Sequence, residues 1–328
     1  MSPPFTSSSE PPCRSSITSI FKPSWHSSTT HASKDEVGWG GFNQIYLVFR
    51  YPPRSVKLHT LLHIKKPLKM ARRQVGHAGL PLMNIVRMKG VPILQQLEIE
   101  ECLLRTSSDN WCIINDGADK PSIVMGVSGK PAGLVEIRPV LEDKIPVIRR
   151  FTGGGTVIVD HGTIFVSFIC NKNDVADVQP YPRPIMSWSG LLYSQVFQGI
   201  ADFRLRENDY VIGLRKFGGN AQSITKNRWI HHTSFLWDYE TRNMSYLKIP
   251  ERAPDYRLGR DHLDFICPMK DYLSRSDFIS KTIDATRSHF SVKSTEFETV
   301  RLPSNPKFTP TSRLLTNQEL EPAGKTSI

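Results

Sequence analysis

Three consecutive glycines follow two arginines near the middle of the chain, in the segment RRFTGGGT of residues 149–156. Glycine loses much conformational freedom on folding, so the run Gly153, Gly154 and Gly155 needs a reason. Without a Cβ, the backbone can approach a ligand closely, and its N–H groups can turn toward an anion or a carbonyl oxygen. The guanidinium of Arg150 adds positive charge in a fork that matches phosphate or carboxylate. The segment predicts an anion-binding loop, with a glycine-rich hairpin turn as the alternative interpretation.

A lysine precedes paired glycines in a second segment, RKFGGNAQ of residues 215–222. The ammonium of Lys216 can neutralise a phosphate and stabilise negative charge that develops on a carbonyl oxygen in a transition state. Gly219, just beyond it, again allows a ligand to approach the backbone. The pattern predicts a catalytic lysine at a ligand site, and a surface lysine beside a β-bulge is the alternative interpretation.

The cysteines carry a weaker signal, because no C-x-x-C pair or Cys/His cluster suggests a zinc site. Their odd number and wide spacing favour a reducing compartment, in which most thiols act as small apolar side chains. A thiolate is nevertheless a good nucleophile, so we keep Cys267 as a possible catalytic residue. The five cysteines are Cys13, Cys102, Cys112, Cys170 and Cys267.

The elements that must hold these segments are indicated by the apolar spacing. Amphipathic helices are predicted around residues 93–103, over 190–203 with Leu191 on the apolar side, and over 275–290 with a cap at Ser276. Strands in hairpins with helices between them, without regular βαβ alternation, indicate a mixed α+β domain. Strands are predicted over residues 111–115, 121–128, 209–214, 215–224 and 228–239, with a further hairpin that turns at residues 160–162.

The two ends of the chain differ in composition from its middle. Residues 1–34 hold eleven serines and a single acidic residue, and such a Ser-rich, acid-poor start is typical of a transit peptide. We predict a disordered or transit-like basic leader over residues 1–75, a catalytic domain over 76–303 and a loose tail over 304–328. The leader suggests a mitochondrial location, with a plastid or the cytoplasm as alternatives, and Met70 is a possible second start site.

The charge and hydropathy of the chain argue against two classes of function, nucleic-acid binding and membrane insertion. The formal net charge is +11, but residues 1–69 hold nine Lys/Arg against three Asp/Glu, so over half of the surplus lies in the leader. The remaining charge is ordinary for a domain of this size and gives little support to nucleic-acid binding. No stretch approaches the roughly 20 apolar residues that span a bilayer. We expect neither a nucleic-acid partner nor a membrane partner, and we expect a monomer.

Five segments, in the same order and at similar spacing, resemble lipoate–protein ligase A of the biotin/lipoate protein ligase superfamily. They cover roughly residues 90–250. The resemblance implies the α+β catalytic-domain fold of that superfamily, with a mixed, mostly antiparallel sheet and flanking helices. It also implies that a carboxylic acid is activated with ATP to an acyl-adenylate and then transferred to a lysine of a carrier domain. The segments are LEIEECLLR, PSIVMGVSGKP, RRFTGGG followed by TVIVDHG, NDYVIGLRKFGGNAQ and RWIHHTSFLWD.

The same resemblance assigns roles to individual residues. Lys216 would be the catalytic residue that contacts the α-phosphate and acyl carbonyl oxygens, and Asp209 would help to hold Mg²⁺, which prefers oxygen ligands. His232 is a possible site residue, with a packed core histidine as the alternative. ATP with Mg²⁺, or preformed lipoyl-AMP, would be the cofactor, and lipoate would be the substrate. The residues implied to bind substrate or adenylate are Arg150, Gly153, Gly154, Gly155, Asn208, Asp209 and Gly219.

The implied partners are the lipoyl carrier domains of dehydrogenase E2 subunits and the glycine cleavage H protein. The main alternative is an octanoyl- or lipoyltransferase that uses an acyl-carrier donor and a cysteine thioester, with Cys267 as its nucleophile. A non-catalytic carrier-binding protein is a further alternative. A biotin–protein ligase is disfavoured because its Gly-Arg-Gly-Arg loop is missing. The short stretch after Pro250 leads us to expect no accessory C-terminal domain, which leaves the source of the adenylate open.

Overall fold

Residues 79–300 and 308–321 are described by a computed structural model of the protein. They belong to the second of the two units into which the chain divides, Met1–Ala71 and Arg72–Ile328. The predicted leader of residues 1–75 lies outside the described residues. In this described part, no helix is both long and apolar enough to cross a membrane.

Runs rich in β-branched and aromatic residues form the strands, as their preference for a pleated, half-buried surface predicts. Each of the predicted strand segments overlaps an observed strand. The strands are β1 (Leu82–Lys89), β2 (Asn110–Asp116), β3 (Ser122–Met125), β4 (Val147–Arg149), β5 (Thr156–Val159), β6 (Thr163–Asn171), β7 (Phe203–Arg206), β8 (Asp209–Ile212), β9 (Arg215–Ile224), β10 (Arg228–Leu236), β11 (Ser291–Thr295) and β12 (Arg313–Leu314).

The strands of the described residues form two sheets. The larger has the order β11-β1-β2-β6-β10-β9-β8-β7, and the smaller has the order β12-β4-β3-β5. Most neighbours are antiparallel, while β1 runs parallel to β2 and β11, and β3 runs parallel to β4. The predicted α+β class with a mixed, mostly antiparallel sheet is confirmed.

Helices lie on both faces of the larger sheet. They are α1 (Ile93–Thr106), α2 (Pro131–Leu134), α3 (Ile137–Glu142), α4 (Pro182–Val196), α5 (His262–Phe265), α6 (Arg275–Arg287), α7 (Phe297–Val300) and α8 (Asn317–Leu320). Side chains alternate across β6, so Phe168 packs with Trp188 of α4, and Ile169 shares a core cluster with Ile99 of α1. α4 and α6 therefore cover one face, and α1 covers the other.

The three long predicted helices exist, with three corrections. The helix predicted over residues 190–203 is α4, which begins at Pro182 and ends at Val196, so residues 197–203 lie beyond it. Leu191 was predicted to face the core, but 67% of its surface is exposed. The buried residues Trp188, Leu192 and Val196 recur at four-residue spacing, and Leu191 lies outside that stripe. The cap of α6 is Ser274 rather than Ser276, because the Ser274 hydroxyl accepts the N–H of Asp277 at 3.1 Å.

The hairpin predicted around residues 160–162 is wrong, although the turn is present. β5 pairs with β3 in the smaller sheet, whereas β6 pairs with β2 and β10 in the larger one. The turn is held by the buried Asp160, which accepts the N–H of Gly162 at 2.8 Å and the side-chain amide of Asn243 at 2.9 Å. The turn therefore carries the chain from one sheet to the other.

The prediction of a loose tail over residues 304–328 is wrong for the part that the structure describes. β12 pairs with β4, and the buried Glu101 accepts the N–H of Thr311 at 2.8 Å. Leu315 and Leu320 are buried in the core cluster under the smaller sheet. These two leucines supply the burial that orders the segment, and the surrounding polar composition concealed them.

Leu320→Ala should lower the free energy of unfolding by about 2 kcal/mol, because the side chain is only 4% exposed and its removal leaves a cavity. Leu314→Ala is the matched control in the same segment, since Leu314 is 51% exposed. Equilibrium denaturant unfolding of both variants measures the difference. Equal and small losses would show that the segment contributes little to stability.

Candidate active site

A β-bulge in β9 sets the direction of Lys216. The register with β8 shifts between Tyr210 and Val211, so Phe217 has no partner of its own across the strand pair. Phe217 is buried in the core, while Lys216 lines a cleft. The alternative interpretation of this segment was a surface lysine beside a β-bulge. The bulge is present, but Lys216 lines the cleft instead of lying on the outer surface.

Asp209 is buried at the start of β8 and holds the lysine side chain. Its Oδ1 lies 2.7 Å from Lys216 Nζ, and its Oδ2 accepts the hydroxyl of Tyr256 at 2.8 Å. Gly219 stands opposite Asp209 in the strand register. The carbonyl of Asn208 accepts the side-chain amide of Asn220 at 3.0 Å. The predicted Asn-Asp pair and Gly219 therefore lie around Lys216.

Arg150 is buried, directly follows β4, and makes hydrogen bonds to the loop that comes next. Its Nε donates to Thr152 Oγ1 at 2.8 Å, and its Nη2 donates to the carbonyl of Gly153 at 2.7 Å. Nη1 donates to the carbonyl of Val124 on β3 at 3.2 Å. Burial lowers the pKa of Arg150 to about 10, against the opposing effect of the Glu100 carboxylate. The guanidinium therefore stays charged at neutral pH and fixes the shape of the loop.

The glycine loop curls tightly at Gly154, where φ is +98°. A Cβ there would lie 2.9 Å from Arg150 Nη2. Gly126 directly follows β3, and a Cβ there would lie 2.2 Å from the Gly154 carbonyl oxygen. Positive φ and close approach both require glycine, so the loop is more than a generic turn.

A buried chain of hydrogen bonds connects α1 with the glycine loop. His232 Nδ1 lies 2.9 Å from Glu100 Oε2, and His232 Nε2 lies 3.1 Å from Thr152 Oγ1. Glu100 also accepts the hydroxyl of Ser167 at 2.5 Å. These contacts form one continuous chain if the imidazole proton is on Nδ1, with the Thr152 hydroxyl donating to Nε2 and accepting from Arg150 Nε. His232 is therefore both packed and part of the site.

The predicted site residues meet in one cleft of about 670 Å³. Lys216, Asp209 and Gly219 form its polar wall, and apolar side chains from α1, β3, β5 and β6 form its apolar wall. The predicted residues that line it are Arg150, Gly153, Gly154, Gly155, Asn208, Asp209, Lys216, Gly219 and His232.

Cys267, the possible nucleophile, is not brought into this cleft. Its side chain is buried, and Sγ lies 3.8 Å from the carbonyl of Arg215. Burial raises the pKa of the Cys267 thiol, which disfavours the reactive thiolate. The other cysteines of the described residues, Cys102, Cys112 and Cys170, are also buried.

The magnesium role of Asp209 stays a prediction. In the described residues, no group of three or more His, Cys, Asp or Glu side chains is arranged to hold a metal ion. Both oxygens of Asp209 are engaged, by Lys216 and Tyr256. Because Mg²⁺ often uses one or two carboxylates with water and substrate phosphates, it would have to replace one of these contacts.

The profile of the lipoyl protein ligase A/B catalytic domain matches residues 92–291, which is more than half of the chain. The chain belongs to this family. Among its relatives, inactive lipoate–protein ligase 2 from Plasmodium falciparum is 30% identical over 218 residues, which cover 55% of this chain and 56% of the relative. The chain spans about half the length of the curated relatives it matches.

Solved structures of lipoate ligases share the fold. The bi-partite lipoate protein ligase of Thermoplasma acidophilum, studied with its E2 lipoyl domain, aligns with a TM-score of 0.56 at 17% identity and covers 67% of this chain and 91% of its own. A lipoate-protein ligase A bound with ATP aligns with a TM-score of 0.53 at 15% identity and covers 68% and 93%. At such low identity these alignments establish the fold alone.

Three residues that line or support this lipoyl ligase-family cleft were missed from the sequence. Glu100 had a usable signal, since two adjacent carboxylates interrupt the apolar pattern of α1. Thr152 lies inside the glycine segment, but nothing in its type indicated a bond to His232. Tyr256 comes from a distant segment, and only the fold brings it to Asp209.

Gly154→Ala should destabilise the protein by about 1–2 kcal/mol, because alanine is strained at positive φ and its Cβ would press on Arg150. Gly155→Ala is the matched control, since nothing lies within 4 Å of a Cβ at that position. Urea unfolding of the two variants gives the comparison. A similar change in both would mean that the loop conformation does not depend on Gly154.

Proposed function

We propose that the protein transfers a lipoyl or octanoyl group from an acyl-adenylate to the lysine of a lipoyl carrier domain. The observation that carries the proposal is the meeting of Lys216 with the Arg150 glycine loop in one cleft. Membership of the ligase family supports the same chemistry. ATP with Mg²⁺, or preformed lipoyl-AMP, would supply the adenylate, and a relative bound with ATP supports the former.

The apolar wall of the cleft suits an acyl chain. It combines the buried face of α1 with side chains of β3, β5 and β6, so a saturated chain would leave water there. The apolar residues of this wall are Ile93, Leu97, Val124, Val157, Ile158 and Phe165.

The polar wall suits the phosphate and the reacting carbonyl. In the transfer step, the acceptor lysine amine attacks the acyl carbonyl carbon and the bond from that carbon to the phosphate oxygen breaks. AMP leaves with the electron pair, and the proton of the attacking amine passes to solvent. A fixed cation at Lys216 would stabilise the charge on the carbonyl oxygen and on the leaving phosphate. Gly153 and Gly155 present backbone beside it without a Cβ.

The proposed partners are the lipoyl domains of dehydrogenase E2 subunits and the glycine cleavage H protein. A relative studied with its E2 lipoyl domain supports the first. The Ser-rich basic start of the sequence supports a mitochondrial location. We propose that the protein acts as a monomer.

A cysteine-thioester transferase is the less favoured function. Cys170 and Cys267 are fully buried, and neither lines the cleft that holds Lys216. A thioester nucleophile must reach the acyl donor, so their placement opposes this route. A non-catalytic carrier-binding protein is the other alternative, since the P. falciparum relative is named inactive.

Lys216→Ala should reduce transfer from lipoyl-AMP to an apo lipoyl domain by about 10²–10³-fold, because it removes the cation that faces the developing charge. Intact-mass measurement of the carrier gives the rate. Lys293→Ala is the control, since Lys293 is exposed on β11 at the opposite end of the sheet order from β8 and β9. Near-normal transfer by a folded Lys216→Ala protein, or none by the wild type, would contradict the proposal.

Cys267→Ser and Cys170→Ser should each leave transfer within about threefold of wild type, because neither sulfur lines the cleft. A serine hydroxyl is a much weaker nucleophile than a thiolate, so a thioester route would be lost in the variant that removes its nucleophile. Melting curves for both variants separate folding losses from chemistry. The thioester route would become the better account if Cys267→Ser abolished transfer in a folded protein and the wild type accumulated an acyl-cysteine adduct.

A further inference from the structure

Tyr256 lies one hydrogen bond away from the Asp209–Lys216 ion pair. Its hydroxyl donates to Asp209 Oδ2 at 2.8 Å, while Asp209 Oδ1 lies 2.7 Å from Lys216 Nζ. Burial and the neighbouring Asp209 carboxylate raise the pKa of Tyr256, so the phenol remains protonated and can only donate to that carboxylate. The three groups form a short linear chain that ends at the proposed catalytic ammonium.

The packing of the ring fixes where this hydroxyl points. Tyr256 is 4% exposed, and its ring centroid lies 5.2 Å from that of Phe265. The guanidinium of Arg206 lies over the ring at 4.9 Å, and Arg260 Nη2 donates to the carbonyl of Tyr256 at 2.8 Å. The backbone and the ring are therefore both held, and the hydroxyl has one orientation relative to β8.

The segment that carries Tyr256 is also tied to the lysine through the backbone. Cys267 N donates to the carbonyl of Lys216 at 2.9 Å, and Ile266 forms an isolated parallel bridge with Lys216. Residues 254–267 thus hold the lysine at two points, at its main chain directly and at its ammonium through Asp209. A segment outside β8 and β9 therefore sets the position of the reacting group.

We propose that Tyr256 is a positioning residue that limits how Asp209 holds Lys216. An ammonium has three donors and a carboxylate has two acceptor oxygens. With one carboxylate oxygen engaged by the phenol, Asp209 aligns Lys216 through the other and leaves ammonium donors for a phosphate or carbonyl oxygen. Without the phenol, both oxygens can turn to the ammonium, and the negative charge that develops in the transition state must compete with a tighter ion pair. The consequence for transfer rests on the proposed function, whereas the hold on Lys216 does not.

Tyr256→Phe removes only the hydroxyl, since the ring contacts with Phe265 and Arg206 remain possible. Tyr246→Phe is the matched control. Tyr246 is buried in the same core cluster, and its hydroxyl also donates to a carboxylate, that of Asp143 at 2.5 Å. Asp143, unlike Asp209, does not line the cleft. Melting curves of both variants show whether either loses stability.

The first measurement follows the lysine without any substrate. The ligand-free full chain is treated briefly with acetic anhydride, and acetylation of Lys216 is read by peptide mass spectrometry against Lys293 as the internal reference. Tyr256→Phe should slow Lys216 labelling at least twofold, and Tyr246→Phe should not change it. In an Asp209→Asn background the effect of Tyr256→Phe should disappear, because the phenol acts through that carboxylate. Unchanged labelling, or a loss that persists with Asp209→Asn, would overturn the proposal.

The second measurement follows transfer from lipoyl-AMP to an apo lipoyl domain. Tyr256→Phe should lower kcat about tenfold, with KM changed less than twofold, because the loss falls on the group that meets developing charge. A purely structural role would instead lower the amount of folded enzyme and leave kcat per folded molecule unchanged, which would overturn the proposal. If the wild type transfers nothing while the labelling effect appears, the proposed function fails and the role of Tyr256 in holding Lys216 stands.

Discussion

The burial of one guanidinium determines much of the cleft. A charge removed from water is costly unless hydrogen bonds and a counter-charge compensate it. Arg150 is only 4% exposed, and its donors find a threonine hydroxyl and two backbone carbonyls, all within residues 124–153. The loop must curl back on the arginine to bring these acceptors into reach. Immediately beyond these acceptors the loop turns at Gly154, where φ is positive.

The need for hydrogen-bond partners in the protein interior extends from Arg150 into the larger sheet and α1. Thr152 can accept from the guanidinium and donate onward to His232, whose other nitrogen meets Glu100. Glu100 also accepts from Gln96, which in turn accepts from Asn115 on β2. In a buried network each polar group provides a hydrogen-bond partner for the next, so a group left without a partner would destabilise the fold. The glycine loop is therefore supported by α1 and β2 and not by its own turn geometry alone.

Some parts of this arrangement could be predicted from the sequence, because they depend on local residue types. Two glycine segments with adjacent cations predicted the polar wall, and apolar spacing predicted α1 and α6. The partner strands of β5 and β6 could not be predicted, because a turn at Asp160 is compatible with a hairpin or with a change of sheet. Tertiary contacts such as that of Asp160 with Asn243 decide between the two. β1, with its run LMNIVRMK, was missed, and it is held by two parallel partners distant in the chain. Tyr256 was missed for the same reason, since its partner lies 47 residues away.

Residues 311–314 contact the chain on both sides of Arg150, immediately before the glycine loop. Ser312 accepts the N–H of Phe151 across 161 residues of chain, and Arg313 of β12 pairs with Arg149. On a ribosome, Arg150 and Gly154 emerge long before these partners exist, whereas α1 and the first strands are already available. The loop therefore stays incomplete until residues 312–314 have been synthesised. A finished ligand site therefore requires synthesis to proceed about 160 residues beyond the loop, by which point the larger sheet has its strands.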